Sequence, residues 1–168
     1  MKIIICSILL ASSFIMCETL NNNDNSIKIF WKTFQNDIKK NDKNDILKYF
    51  NFPITNTSFY LDKSYGPKIS KKEFSKIFRK IIDNDVRKVI INTFHNTPYK
   101  TKIKRIYNNY TSTFNLSGHL EQNRKIKNEF SLIIDYEYLD EDGGESQLII
   151  KFNKINSTYL ITSILLAG

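Results

Sequence analysis

The sequence predicts an α+β domain in which helices from the first half cover one face of an antiparallel sheet built by the second half. Three observations carry that expectation. Apolar residues recur at helical spacing in Ile27, Phe30, Trp31, Phe34 and Ile38, and again in Phe74, Ile77, Phe78, Ile81 and Ile82. From Asn92 onward the period falls to two. The chain then closes on a three-strand meander, Glu129 to Leu139, Gln147 to Ile155 and Tyr159 to Leu166, jointed at Asp140 to Glu145 and at Asn156-Ser157. Helices first and antiparallel strands afterwards is the α+β order.

The 168 residues suit one domain, and a hydrophobic fraction of 41% is enough for a core. The net charge of +8 invites a nucleic-acid reading, but it is made of 21 Lys and only 4 Arg, alongside 19 Asn and 26 Ile. Bidentate phosphate contacts and base readout favour arginine, which the chain lacks, so no nucleic-acid partner is expected. Both cysteines, Cys6 and Cys17, fall at the very start. The body of the chain therefore has no disulfide, no cysteine-ligated zinc and no cysteine nucleophile.

Met1-Lys2 and the apolar run Ile3 to Met16 have the form of a secretory signal, too short to span a bilayer. The expected organisation is a signal peptide at 1–16, a polar tether at 17–25 and a folded domain at 26–168. Two readings of the processing site compete. Ala11-Ser12-Ser13 offers small residues to an ordinary signal peptidase. Phe14-Ile15-Met16-Cys17 resembles a bacterial lipoprotein box, with Met16 where a small residue is usual, and would make Cys17 an acylated first residue. The polar stretch Glu18 to Asn25 then serves as tether. Either way the chain is expected to be exported, to the periplasm, the outer membrane or the cell surface.

Within the domain, Ser26 is the expected cap of the first helix, with Lys28, Lys32, Gln35 and Lys39 opposite its apolar stripe. Asn41-Asp42 should break it. A second helix is expected from Lys43 to Phe50, stopped before Pro53, and the stretch Ile54 to Ile69 reads as irregular. Ser70-Lys71-Lys72-Glu73 is a capping box that opens a third helix. Asp83-Asn84-Asp85 ends it, with Asp85 placed to cap a further turn carrying Val86, Val89 and Ile90. Tyr99 to Ile106 alternates, with Lys100, Lys102 and Lys104 on one face. Tyr110 to Leu120 alternates next, and Gln122 to Lys127 forms a polar turn into the meander.

Phe30-Trp31-Lys32-Thr33-Phe34, Asp37 to Asp42, Ile46 to Pro53 and the closing Tyr159 to Ile164 together resemble the nuclear transport factor 2-like superfamily. That superfamily includes ketosteroid isomerase and the SnoaL-like proteins, and the nearest likeness is to its small exported members. The resemblance covers about residues 26 to 168. It implies a cystatin-like cone, with N-terminal helices packed into a strongly bent antiparallel sheet and a pocket at the mouth. It brings no catalytic motif, and a fold that hosts enzymes, binding proteins and interaction modules does not name a function.

Enzymes of that superfamily set an Asp base and a Tyr or acidic donor inside the cone. Here Phe130, Leu132, Ile134, Tyr136 and Tyr138 share one face of their strand, while Glu129, Ser131, Ile133, Asp135 and Glu137 share the other. The apolar face must be the covered one, so Asp135 and Glu137 should point away from the helices. Asp62, beside Tyr60 and Tyr65, His95 and His119, at a strand end, are the remaining scattered candidates, Asp62 and His95 the ones carried as catalytic, and no spacing joins them. Two histidines in no ligand pattern and a loop, Asp140 to Glu145, without calcium-ligand spacing give no metal site, and no cofactor is expected. The aromatic residues Tyr60, Tyr65, Tyr136 and Tyr138 are the candidate ligand contacts.

The closing strand is apolar on both faces, which reads as burial on both sides or as a contact surface. The expected function is accordingly a non-catalytic exported domain, lipid-anchored if Cys17 is acylated, that binds a small apolar ligand or an envelope protein. Two alternatives stand beside it. One is an isomerase-, hydratase- or hydrolase-like enzyme using Asp62 with a Tyr or His. The other is a docking or self-associating module, such as a homodimer, that uses the sheet.

Overall fold

The computed structural model describes residues 25–56, 66–94, 97–107, 110–123, 125–126, 128–139 and 144–167. Helix α1 spans 25–40, so Ser26 lies in its first turn and is not its cap. Ile27, Trp31, Phe34 and Ile38 are buried along it, as their spacing requires. It stops at Asn41, whose φ of 61° is left-handed backbone that asparagine tolerates better than most residues. Asp42 then caps α2, Lys43–Leu47, by accepting from the amides of Asn44 and Asp45.

The second helix is shorter than its sequence suggests. Phe50–Asn56 is strand β1, not the end of a helix followed by irregular chain. Its Phe50 and Ile54 are buried while Asn51, Pro53 and Thr55 are exposed, a period of two. Pro53 follows a cis peptide bond. It sits where the ladder is interrupted, between the pairs Phe50 with Ile161 and Thr55 with Ser163, so its missing N–H removes no regular bond. Strand β2, Lys68–Ile69, pairs back on β1.

Helix α3, Lys71–Ile81, opens with the expected capping box. Glu73 N donates to Ser70 Oγ at 3.3 Å, and Ser70 N donates to Glu73 Oε2 at 2.8 Å. Helix α4, Asn84–Asn92, is capped by Asp83, which accepts from Val86 N at 2.9 Å; the cap falls two residues before the expected Asp85. Strands β3 (Tyr99–Tyr107), β4 (Tyr110–Gln122), β5 (Glu129–Tyr138), β6 (Gly144–Ile155) and β7 (Thr158–Ala167) complete the chain. The β6–β7 hairpin turns on Asn156 and Ser157, both at positive φ, which matches the twist of the flanking strands.

The seven strands form one sheet in the order β2-β1-β7-β6-β5-β4-β3. Every neighbouring pair is antiparallel except β1 with β7, so the sheet is mostly and not wholly antiparallel. Helices lie on one face, which makes the class α+β. Strand β3 is an edge, and its exposed Lys100, Lys102 and Lys104 fit the charged edge that discourages further strand addition. Among the described residues no helix is long and apolar enough to cross a membrane.

The core lies between α1 and the end of the sheet formed by β5, β6 and β7. Phe130 and Phe152, a cross-strand pair, stack at 4.6 Å with an interplanar angle of 2°. Phe30, Trp31 and Phe34 of α1 meet them edge-on, and Tyr49 and Tyr159 close the cluster. Such ring pairs contribute about 0.5–1.5 kcal/mol each beyond the area they bury. Phe50, Phe52, Phe74 and Phe78 form a second aromatic set between β1 and α3.

The two-faced apolar look of the last strand has a local cause. Between Lys151–Ser163 and Phe152–Ile161 the register shifts, placing a bulge in β7 at Thr162. The bulge changes the phase of the strand, so Tyr159, Ile161 and Ile164 all enter the core. Leu160 and Leu165 are left half-buried on the other face.

Candidate functional site

Asp135 and Glu137 do point away from the helices, and the sheet face they share with β3, β4 and β6 is where polar groups gather. The register aligns Lys100, Ser117, Asp135 and Gln147 in one row across four strands. The next row holds Lys102, Asn115, Glu137 and Glu145. Between them opens a groove of about 570 Å³ whose lining includes Lys100, Asn115, Ser117, Asp135, Glu137, Glu145 and Gln147. Alternation puts these side chains outside because their neighbours Leu116, Ile134 and Leu148 are buried inside.

Asp135 is the hub. Ser117 Oγ donates to its Oδ2 at 3.1 Å, Gln147 Nε2 donates to its Oδ1 at 2.8 Å, and His119 Nδ1 stands 3.7 Å from Oδ2. Asn115 Nδ2 donates to Glu137 Oε2 at 2.9 Å. Both carboxylates are thus oriented by neutral donors, with His119 beside Asp135. Ser117, His119 and Asp135 share the chemistry of a nucleophilic triad but not its geometry. Ser117 Oγ bonds the carboxylate and not an imidazole nitrogen, so the three are not arranged as a serine–imidazole–carboxylate relay. Three carboxylates, Asp135, Glu137 and Glu145, face the ammonium of Lys100 across the groove, an acidic locality on a basic chain. Its chemistry is recognition of cations and hydrogen-bond donors. Among the described residues no group of three or more His, Cys, Asp or Glu is placed to hold a metal ion.

A second carboxylate cluster is structural. Asp37 on α1 accepts from Tyr49 Oη at 2.6 Å and from Lys40 Nζ at 2.7 Å. The Lys40 hydrogen bond, then that of Tyr49, holds the Asp37 carboxyl below its ordinary value. Burial, then the hydrogen bond to Asp37, pushes the Tyr49 phenol up. Glu129, though nearly buried, is held by Asn123 Nδ2 at 2.6 Å and, with its amide turned to donate, by Asn153 at 2.9 Å. It ties the β4–β5 turn to β6.

Of the sequence candidates, Tyr136 packs half-buried against the core on the helix-covered side of β5, opposite Asp135, and Tyr138 at the strand end is 40% exposed with its ring against Phe114 at 4.5 Å. Tyr60, Asp62, Tyr65, His95 and Cys17 lie outside the described residues. The sequence places Asp135 and Glu137 on the outward face but does not show the groove they line. The signal was the outward alternation itself, but which residues share a row depends on the registers of four strands.

A second groove, of about 550 Å³, runs between α1 and the C-terminal end of α4. There Trp31 Nε1 donates to Thr93 O at 2.7 Å, and Gln35 Nε2 lies within 3.0 Å of the carbonyls of Ile90, Ile91 and Thr93. Two α1 side chains thereby satisfy the carbonyls that a helix end leaves open.

No family model matches the chain, and no curated protein does. Among solved structures it is similar to a five-substitution variant of a designed nuclear transport factor 2-like protein. The two are 13% identical over 87% of this chain and 99% of that one, at a TM-score of 0.39. A likeness that low adds no argument, and the fold rests on the strand order and helix placement described above.

Proposed function

We propose that this is a non-catalytic binding domain of nuclear transport factor 2-like type, exported and held at the cell envelope, that docks a cationic segment of an envelope protein in the Asp135 groove. The observation that carries the reading is the contrast between the two faces of the sheet. Under α1 the covered face is packed with aromatic rings, which leaves a small apolar ligand little room there. The open face has a formed groove with oriented carboxylates.

The test is a titration of the chain with lysine- and arginine-containing peptides, followed by calorimetry. Binding that weakens at least tenfold in an Asp135→Asn, Glu137→Gln variant supports the reading. Equal binding by that variant overturns it. The export half is tested separately by mass spectrometry of the mature N-terminus. An acylated Cys17 supports the lipid anchor, whereas an unmodified residue 14 at the terminus removes it.

A second reading, self-association through the sheet, draws on the neighbouring row. His119, Ile133, Ile149 and Leu165 align across β4 to β7 on the open face, and the three apolar members are half-buried by one another. A strict monomer by light scattering across a wide concentration range would count against it.

A further inference from the structure

We propose that the α1–α4 face is a membrane-contact surface that lies on an anionic lipid bilayer, so that the Asp135 groove faces the aqueous side. Lys28, Lys32 and Lys39 recur at helical spacing along α1 and line the groove with Trp31, Gln35 and Phe94. All three lysines are exposed, and neither Lys32 nor Lys39 is in an ion pair among the described residues. Beside them stand the two most exposed large apolar side chains of the described residues, Ile29 at 69% and Phe94 at 58%. A row of ammonium groups flanked by apolar side chains that no described residue covers is the composition of an interfacial helix: cations for the phosphates, apolar groups for the acyl boundary.

Position points the same way. The apolar run Ile3 to Met16 precedes α1 by so few residues that, fully extended, the chain between them reaches at most roughly 30 Å. While that run is attached it keeps the first turn of α1 near the membrane, as an acylated Cys17 would after its removal. Because the helices cover the face of the sheet opposite Asp135, a bilayer under α1 and α4 leaves the acidic groove pointing into solution. The inference stands on the described face and does not need Cys17 to be acylated or the Asp135 groove to bind a protein.

Trp31 is the chain's one tryptophan and lines this groove, so it serves as the probe. The full chain is mixed with phosphatidylcholine vesicles carrying brominated acyl chains, with and without phosphatidylglycerol, and Trp31 emission is followed. The expected result is quenching that requires phosphatidylglycerol and fades with salt. A Lys32→Gln, Lys39→Gln variant should bind the anionic vesicles roughly 25-fold more weakly, about fivefold for each lysine. Phe94→Ser should reduce quenching further while circular dichroism stays unchanged. Three results overturn the inference. One is a vesicle-bound chain whose Trp31 is not quenched, held only by its N-terminal segment. Another is equal quenching without phosphatidylglycerol. The third is undiminished quenching in the double variant.

Discussion

A β-carbon on Gly118 of β4 would stand 2.1 Å from Cγ1 of Val89 in α4, and 2.8 Å from Thr93 Oγ1. Helix α4 therefore rests directly on the backbone of the sheet, and Gly118 is the residue that lets it. Thr93 is fully buried at the helix end, its hydroxyl donating to Val89 O at 2.8 Å. Gly118→Ala must push α4 outward, at a cost of about 1–3 kcal/mol or more. Urea unfolding should show that loss. Val89→Ala, mildly destabilising alone, should recover part of it in the double variant. Simple additivity of the two changes would argue that the contact is not the cause.

Gln35 should be worth more than its position on a half-exposed helix face suggests. Its amide serves three carbonyls at the end of α4. Gln35→Ala leaves the carbonyls of Ile90 and Ile91 to water while Thr93 O keeps the Trp31 indole N–H, costing about 1–2 kcal/mol. Gln35→Glu should cost more, because a carboxylate would face carbonyl oxygens. Hydrogen exchange should locate the loosening in the last turn of α4.

Tyr159 presents the opposite case. It is buried to 2% exposure, and its hydroxyl has no hydrogen-bond partner among the described residues. Tyr159→Phe removes an unsatisfied polar atom and keeps the ring against Phe30 and Phe130. The expected outcome is unchanged or higher stability, by up to about 1 kcal/mol. A clear loss in chemical denaturation would mean the hydroxyl has a partner in solution.

The Asp37–Tyr49 pair predicts two pH limbs of stability. Asp37 is lowered by its hydrogen bonds to Lys40 and Tyr49. Its contribution is therefore complete above the ordinary carboxyl value of 3.8 and is lost as pH falls through the depressed one. Tyr49 is raised, by burial first. Its contribution is complete below the ordinary phenol value of 10.0 and is lost as pH rises through the elevated one. Tyr49→Phe should abolish the alkaline limb and shrink the acid limb. Unfolding midpoints followed across both ranges check this, and an alkaline limb that survives the substitution assigns it elsewhere.

Removing the three groove carboxylates together, as Asp135→Asn, Glu137→Gln and Glu145→Gln, should leave unfolding free energy within about 1 kcal/mol of the parent. The groups are solvent-facing, and interactions of that kind contribute little. A stability loss well beyond that would make the groove a structural device.

Much of the architecture was legible in the residues because it depends on neighbours a few positions apart. The capping box of α3, the stripes of α1 and α3, the Asn41 break and the outward aim of Asp135 all follow from local spacing. Strand β1 departs from the expected helix end for a reason that is also local. Pro53 reads as a helix stop, yet Phe50, Phe52 and Ile54 alternate with Asn51, Pro53 and Thr55. What allows a proline there is the gap in the β1–β7 ladder, which no window of sequence displays.

The sequence by itself determined the stripes of α1 and α3 and the apolar side of β5. Those are consequences of backbone period and of the removal of apolar groups from water. Only the tertiary structure decided the rest: the parallel seat of β1 beside β7, the bulge at Thr162 that sends Ile161 and Ile164 to the same side, and the passage of α4 over Gly118. It also decided that Lys100, Ser117, Asp135 and Gln147 share a row. Each of these depends on register between segments distant in the chain, and register is set by the packing of the whole sheet and its helices.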